Sequence, residues 1–272
     1  MSAPAELPES HATGAIATIF AELRRLTGVP YVSSIYRHLA TMPGMLEWTW
    51  EALGPGFASG ALQDAGAAIA AGVRVAPAAP IAATSLAGWG VDAAALASIR
   101  AACAGFVRVA PVNLVTGACL GPRLTGERMG GAGFAPGWTP PLSLPAVPPT
   151  ADPATLSEAT RALLDRLATD DGTARFVPGL YRQLAHWPGL LAWVAETVAP
   201  RLTAPETLAA ADALRAAAAR EAARILPRLP PCPPAPLDAP TLAAVRRAIA
   251  RYARTSPELT LFGRLIGEAL PR

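Results

Sequence analysis

The sequence predicts an all-α protein made of two similar helical repeats. Apolar residues recur at the spacing of amphipathic helices, and no stretch alternates apolar and polar residues over several positions. One segment also occurs twice: residues 31–55 align with residues 176–200 without a gap, and eleven positions are identical. We therefore expect a duplicated helical fold in which each repeat packs against its twin.

The repeat divides the chain into two helical halves, residues 13–120 and residues 154–270. Between them, residues 121–153 are rich in Pro, Gly and Thr and show no periodicity, which predicts a linker along the surface. A homodimer whose gene was duplicated would have this organisation, so we expect a pseudo-twofold pseudo-dimer. A pocket between the halves is then the natural ligand site.

The first half begins with a leader and three helical segments. Residues 1–12 show no periodic pattern and are expected to form a loose leader. Residues 15–26 place their apolar side chains on one stripe, which predicts a helix that ends at Gly28. Within the repeat that follows, Pro43 separates two further helices.

An Ala-rich helix over residues 60–75 comes next, and a connection broken by prolines follows it. Asp92 is a suitable N-cap for a helix over residues 93–109, because its carboxylate can accept a hydrogen bond from the first turn. Pro111 is expected to interrupt this helix, since proline lacks the amide hydrogen. The second half follows the same plan, with matched elements at residues 203–226, residues 241–253 and Pro257.

The charge pattern argues against a nucleic-acid-binding protein. The 272 residues carry 23 basic and 20 acidic side chains, a net charge of +3, and every basic residue is arginine. Nucleic-acid binding calls for a strongly basic face. The arginines within residues 246–254 are interpreted as a solvated helix face rather than a phosphate-binding patch. We predict no nucleic-acid partner.

The sequence also predicts a cytoplasmic protein. The N-terminus lacks the basic and apolar regions of a signal peptide. The apolar run over residues 75–91 is broken by prolines and is a poor membrane span, so no membrane partner is expected. The three cysteines form no CxxC pair, which fits a reducing compartment. A homodimer stays open as an assembly.

One kind of candidate for ligand binding is a pair of residues kept in both repeats. Tyr36 and Arg37 recur in the second repeat as Tyr181 and Arg182. Two arginines could bind a carboxylate bidentately. The alternative is that duplication preserved a packing tyrosine and a solvated arginine at each place.

Positions at which the repeats differ are the other kind of candidate. Ser34 stands against Gly179 and Asn113 against Leu259, so the first repeat carries hydrogen-bonding groups that the second lacks. His186 could act as an acid or base near neutral pH, although a histidine before Trp-Pro is also typical of a helix entry. The three histidines show no metal-ligand spacing, and we predict no metal or cofactor.

A proline-containing motif occurs in both halves at domain spacing. It comprises residues 29–30, residues 39–43 and Trp50 in the first half, and residues 184–188 and Pro200 in the second. This pattern around a proline-rich linker resembles the group I 2-haloacid dehalogenases, also described as halocarboxylic acid dehydrogenase-like proteins. A weaker resemblance links the helical style to the alkylhydroperoxidase D-like superfamily, whose redox CxxC is absent here.

The resemblance implies an all-α pseudo-dimer with an active site between its halves. It implies hydrolysis of small 2-halocarboxylates, in which an aspartate activates water and the water displaces halide at C2 with inversion. No covalent intermediate, metal or organic cofactor takes part. A small carboxylate is then the expected ligand.

The resemblance also assigns site residues. Those implied for substrate binding are Tyr31, Ser34, Gly179, Leu180 and Tyr252. The position of the catalytic aspartate is occupied by Leu180, whose partner in the first repeat is Ile35, and the asparagine expected before the first-half proline is Ala110. The nearest alternative bases in the sequence are His186 and Glu47.

Two functional hypotheses follow. In the first, the protein is a hydrolase with a relocated base, because leucine cannot accept a proton. In the second, it is a non-catalytic small-carboxylate-binding or interaction protein on the same scaffold. Halide release from racemic 2-chloropropionate separates the two.

Overall fold

The structure is a computed structural model that describes residues 5–126, 131–170, 175–235 and 237–271. These residues are mostly helical, and the prediction of an all-α fold is confirmed. The helices are α1 (Gly14–Thr27), α2 (Ser34–Leu39), α3 (Met45–Ala58), α4 (Ala61–Ala71), α5 (Ala83–Gly88), α6 (Ala93–Leu124), α7 (Glu158–Arg166), α8 (Gly179–Leu184), α9 (Pro188–Val198), α10 (Pro205–Ile225) and α11 (Ala239–Ala269).

The two longest helices, α6 and α11, pack along each other at the centre of the fold. Small residues at the contact allow this close approach. A Cβ atom at Gly263 would lie 3.2 Å from a methyl group of Val107, and one at Gly267 would lie 3.5 Å from Cys103 Cβ. The helices α4 and α10 pack against α6 as well, so α6 is surrounded by other helices.

Two apolar clusters fill the interior. The first is built on α1 to α4 and includes Phe20 and Leu53, and the second is built on α8, α9 and the end of α11 and includes Leu191 and Phe262. Helix α10 belongs to the second half of the sequence, yet its Leu214 belongs to the first cluster. The clusters therefore join residues from both halves of the sequence.

The N-cap predicted for α6 is confirmed, but the predicted break in this helix is wrong. The Asp92 carboxylate accepts a 2.8 Å hydrogen bond from the Ala95 amide. The helix then continues through Pro111 to Leu124. A proline inside a helix removes one hydrogen bond. Pro111 and its neighbours Ala110 and Val112 are buried, and their packing holds the helix together at this place.

Two short strands form a small antiparallel ladder that the sequence did not indicate. They are β1 (Thr169–Asp170) and β2 (Arg175–Phe176), and Thr169 pairs with Phe176. The expectation of no strand is therefore wrong at this place. A strand of two residues is too short to show the alternation of side chains on which strand prediction rests.

The N-terminal segment is packed, which corrects the expectation of a loose leader over its described part. The Leu7 amide donates a 3.0 Å hydrogen bond to the Arg37 carbonyl oxygen, and His38 Nδ1 lies 2.7 Å from the Ala5 carbonyl oxygen. Residues 1–4 lie outside the described residues. The segment from residue 5 onwards is thus fixed to α2.

Helix α6 is long and apolar enough to cross a membrane by length and composition alone. However, 78% of its most apolar stretch is buried inside the fold. This burial is characteristic of the core helix of a globular protein. The cytoplasmic location stays a prediction.

Candidate functional site

A cavity lies where the beginnings of α2 and α8 meet the middle of α6 and the middle of α11. Its volume is about 70 Å³. One water molecule occupies about 10–15 Å³ on this measure, so the cavity has room for roughly five water-sized groups. A ligand with only a few non-hydrogen atoms fits this space.

Two aromatic rings and Gly179 form part of the cavity wall. Tyr31 packs on α6 at Gly105, where a Cβ atom would lie 2.9 Å from the tyrosine hydroxyl oxygen. The centroids of the Tyr31 and Phe106 rings are 5.5 Å apart. Phe106 also contacts Gly179 at the start of α8, where a Cβ atom would lie 3.3 Å from the ring. The absence of side chains at the two glycines allows α2, α6 and α8 to converge here.

Five buried polar atoms on residues that line this cavity have no hydrogen-bond partner among the described residues. They are the Tyr31 hydroxyl, Ser33 Oγ, Arg37 Nε, Asn113 Oδ1 and the Tyr252 hydroxyl. A buried polar atom without a partner costs about 1–3 kcal/mol, and native proteins keep few of them. Their concentration around one cavity favours a polar ligand that supplies the missing bonds.

The two arginines at matched positions of the repeats, Arg37 and Arg182, both line the cavity. Arg37 Nη2 lies 2.5 Å from Glu6 Oε2, and the two side chains are 17% and 13% exposed. Arg182 makes two longer contacts, 3.3 Å from Nε to the Ala151 carbonyl oxygen and 3.4 Å from Nη2 to Thr150 Oγ1. Guanidinium groups bind carboxylates through paired donors, so this arrangement suits an anion.

The tyrosines at the cavity are hydrogen-bond donors at neutral pH. Burial raises the pKa of Tyr31 and of Tyr252 above the ordinary value. The nearby Glu6 carboxylate raises the pKa of Tyr252 further, because it disfavours a second negative charge. Both hydroxyl groups therefore stay protonated and can donate to a ligand.

Four of the five residues implied for substrate binding line the cavity, namely Tyr31, Ser34, Gly179 and Tyr252. Leu180 is not among the described residues that line it. Its side chain lies in the first turn of α8 and is fully buried in the second apolar cluster. The binding roles of all five residues stay predictions.

The two alternative bases lie away from the cavity. His186 is exposed, and its Nε2 lies 2.7 Å from the Pro149 carbonyl oxygen. Glu47 lies half-buried in the first turn of α3. Neither belongs to the described lining. Within the described parts of the chain, no three His, Cys, Asp or Glu side chains are grouped so that they could hold a metal ion.

Sequence reasoning missed Glu6, whose carboxyl group is the only one among the described lining residues. A single glutamate in a proline-containing leader has no periodicity that would mark it. Asn113 was found as a position at which the repeats differ. The resemblance implies an asparagine at position 110, where this chain has Ala110. Asn113 lies about one turn later on α6, and both residues line the cavity, so the chain places an asparagine at the cavity one turn away from the implied position.

A second buried carboxyl group, that of Glu258, lies outside this cavity. Glu258 is on α11 and lines a groove together with Arg254, and its Oε2 accepts a 2.9 Å hydrogen bond from the Thr169 hydroxyl. The matched residue of the first repeat is the buried Val112. Burial raises the pKa of Glu258 to about 7.

Comparison with solved structures relates this architecture to known proteins. A D-2-haloacid dehalogenase mutant in complex with D-2-CPA superimposes with a TM-score of 0.78 at 17% sequence identity, and the match covers 97% of this chain and 94% of that chain. A D-2-haloacid dehalogenase with L-LA gives a TM-score of 0.77 at 18% identity, covering 97% and 95%. This chain has the D-2-haloacid dehalogenase fold. The all-α fold implied by the resemblance is thus confirmed, whereas the pseudo-dimer organisation stays a prediction.

Comparisons with protein-family models and with curated proteins give no match. The relationship to dehalogenases therefore rests on the solved structures. They establish a dehalogenase-like scaffold over nearly the whole length of both chains. At identities of 17–18%, the likeness concerns the fold, and the function has to be argued from the cavity itself.

Proposed function

We propose that this protein binds a small carboxylate in the cavity between the two repeats of a pseudo-dimer. The observation that carries the proposal is the set of unpartnered polar atoms described above, around a cavity lined by Arg37 and Arg182. Four of them can donate to a carboxylate, namely the Tyr31 and Tyr252 hydroxyls, Ser33 Oγ and Arg37 Nε. A dehalogenase fold whose solved examples include complexes with D-2-CPA and with L-LA supports it.

The charges and donors of the cavity suit the two ends of such a ligand. Arg37 keeps its Nε donor free of any described partner, and Arg182 holds only long contacts to the linker. These guanidinium groups stabilise a carboxylate in a site that is largely shielded from water, where electrostatic attraction is stronger than in solution. The Nδ2 group of Asn113 and the hydroxyl of Tyr252 can donate further hydrogen bonds to the ligand.

Calorimetric titration with 2-chloropropionate tests this proposal. The Arg182→Gln variant is expected to bind at least tenfold more weakly, because hydrogen bonds to charged groups contribute about 1.5–3 kcal/mol. Its stability should change little, since the two contacts of Arg182 are long. Arg220→Gln is the matched control, because Arg220 is exposed on α10 and is not part of the described lining. Equal affinity in all three proteins would contradict the proposal.

Hydrolysis of a 2-halocarboxylate is the second candidate function. The dehalogenase fold of the solved structures favours it. In this reaction the oxygen of water forms a bond to C2 while the bond from C2 to the halogen breaks. Halide leaves and a base takes the proton of the attacking water. Glu6 is the described carboxylate at the cavity that could accept this proton.

Halide release from racemic 2-chloropropionate distinguishes the two functions. If the protein only binds carboxylates, the correctly folded protein saturates with ligand and releases no chloride above the buffer rate. If it hydrolyses them, chloride appears, and Glu6→Gln should lower the turnover number much more than it lowers affinity.

A further inference from the structure

Glu6 adds a negative charge to a cavity that would otherwise carry two positive charges. Among the described lining residues, the ionised side chains are those of Arg37, Arg182 and Glu6, and they give a net charge of +1. A ligand with one negative charge neutralises this set. A ligand with two negative charges leaves an excess charge in a partly buried site, which is unfavourable where water cannot screen it.

The Glu6 carboxylate is fixed at the cavity by its surroundings. The segment on either side of it is bonded to α2 through Leu7 and Ala5, and Glu9 Oε1 accepts a 2.8 Å hydrogen bond from the Val32 amide. Glu9 also forms an ion pair with Arg24. These contacts hold the backbone in place, so that the Glu6 side chain reaches Arg37 with only 13% of its surface exposed.

Glu6 shares the guanidinium of Arg37 with any bound carboxylate. Its Oε2 takes one end of that group, while Nε of Arg37 has no partner among the described residues. One carboxylate can therefore be accommodated by the Nε donor of Arg37 and by Arg182. A second ligand carboxylate at this side of the cavity would meet the charge of Glu6.

We propose that Glu6 determines the ligand specificity of the cavity. With Glu6 the cavity carries a net charge of +1, so that it binds monocarboxylates and rejects dicarboxylates. The inference rests on the proposed function, because it assumes that the cavity binds a carboxylate. It also assigns a function to the hydrogen bonds between the N-terminal segment, which follows no helical pattern, and α2. Removal of the charge should widen the ligand range and leave the cavity intact.

Calorimetric titrations with malonamate, a monocarboxylate, and with malonate, a dicarboxylate, test this role, because the two ligands have the same number of non-hydrogen atoms and differ in charge. The wild type should bind the monocarboxylate at least tenfold more tightly than the dicarboxylate. Glu6→Gln should lower this ratio at least tenfold by strengthening binding of the dicarboxylate. Glu196→Gln is the matched control: Glu196 also pairs with an arginine, Arg166, but it is exposed on α9 and outside the described lining, so its loss should leave both affinities and their ratio unchanged.

The possible outcomes distinguish a role of Glu6 in ligand specificity from a purely structural role. If Glu6→Gln weakens both ligands equally, Glu6 only positions Arg37 and the specificity role is wrong. An unchanged ratio with unchanged affinities also overturns it. If the wild type binds neither acid, the proposed function itself fails together with this inference, whereas binding with an unaltered ratio removes the inference alone.

Discussion

Replacement of Asn113 by leucine, the residue at the matched position 259, should separate stability from ligand binding. The Asn113 side chain is only 7% exposed, and its Oδ1 lacks a hydrogen-bond partner in the described parts of the chain. A buried polar atom without a partner lowers the free energy of unfolding by about 1–3 kcal/mol. A leucine removes this cost and fills part of the 70 Å³ cavity. We expect the free energy of unfolding to rise by about 1 kcal/mol, which is about 2–4 °C in melting temperature at this chain length.

The same change should weaken binding of 2-chloropropionate at least tenfold, because the ligand carboxylate loses the Nδ2 donor of Asn113 in a buried site. Urea unfolding gives the stability and calorimetry gives the affinity. Thr49→Val is the control, since Thr49 Oγ1 is also buried and without a described partner but lies on α3 outside the described lining. It should stabilise the protein and leave the affinity unchanged. If Asn113→Leu destabilises the protein by more than about 1 kcal/mol, the amide has a structural partner and the reasoning fails.

Two further predictions concern groups outside the cavity. Burial raises the pKa of Glu258 from its ordinary value of 4.5 to about 7 in the folded protein. As pH rises, the unfolded chain therefore loses this proton at a lower pH than the folded protein does. The free energy of unfolding should fall by up to about 3 kcal/mol as pH rises from 4.5 to 7. Glu258→Gln should remove this pH dependence of urea unfolding, and an unchanged slope would refute the assignment. Leu180→Asp should lower the free energy of unfolding by about 3 kcal/mol or more, because it places a carboxyl group in an apolar cluster. It should also yield no chloride from 2-chloropropionate, and release above that of Leu180→Asn would contradict this.

The helices could be predicted from the sequence because their apolar faces repeat over many residues. The capping role of Asp92 could be predicted as well, since it depends on one side chain and the turn beside it. The break at Pro111 was predicted wrongly because local chemistry disfavours proline in a helix, whereas the burial of residues around it outweighs this cost. Long-range packing of this kind leaves no local signal.

The candidate site could be predicted only in part. Comparison of the repeats drew attention to Arg37, Arg182 and Asn113, and the structure places all three at one cavity. Glu6 could not be found, because its position depends on hydrogen bonds between the N-terminal segment and α2. The burial of Leu180 away from the cavity also depends on how α8 rotates against its neighbours, which the sequence pattern does not specify.

A crystal structure of the protein soaked with 3-bromopropionate tests the central claim most directly. Its halogen is not on C2, so displacement at C2 does not remove it, and bromine can be located by its anomalous scattering. The account predicts one bromine peak inside the cavity, with the carboxylate within hydrogen-bond distance of Arg37 or Arg182. Bromine found only at surface arginines, or in the groove beside Glu258, with the cavity free of ligand, would contradict it.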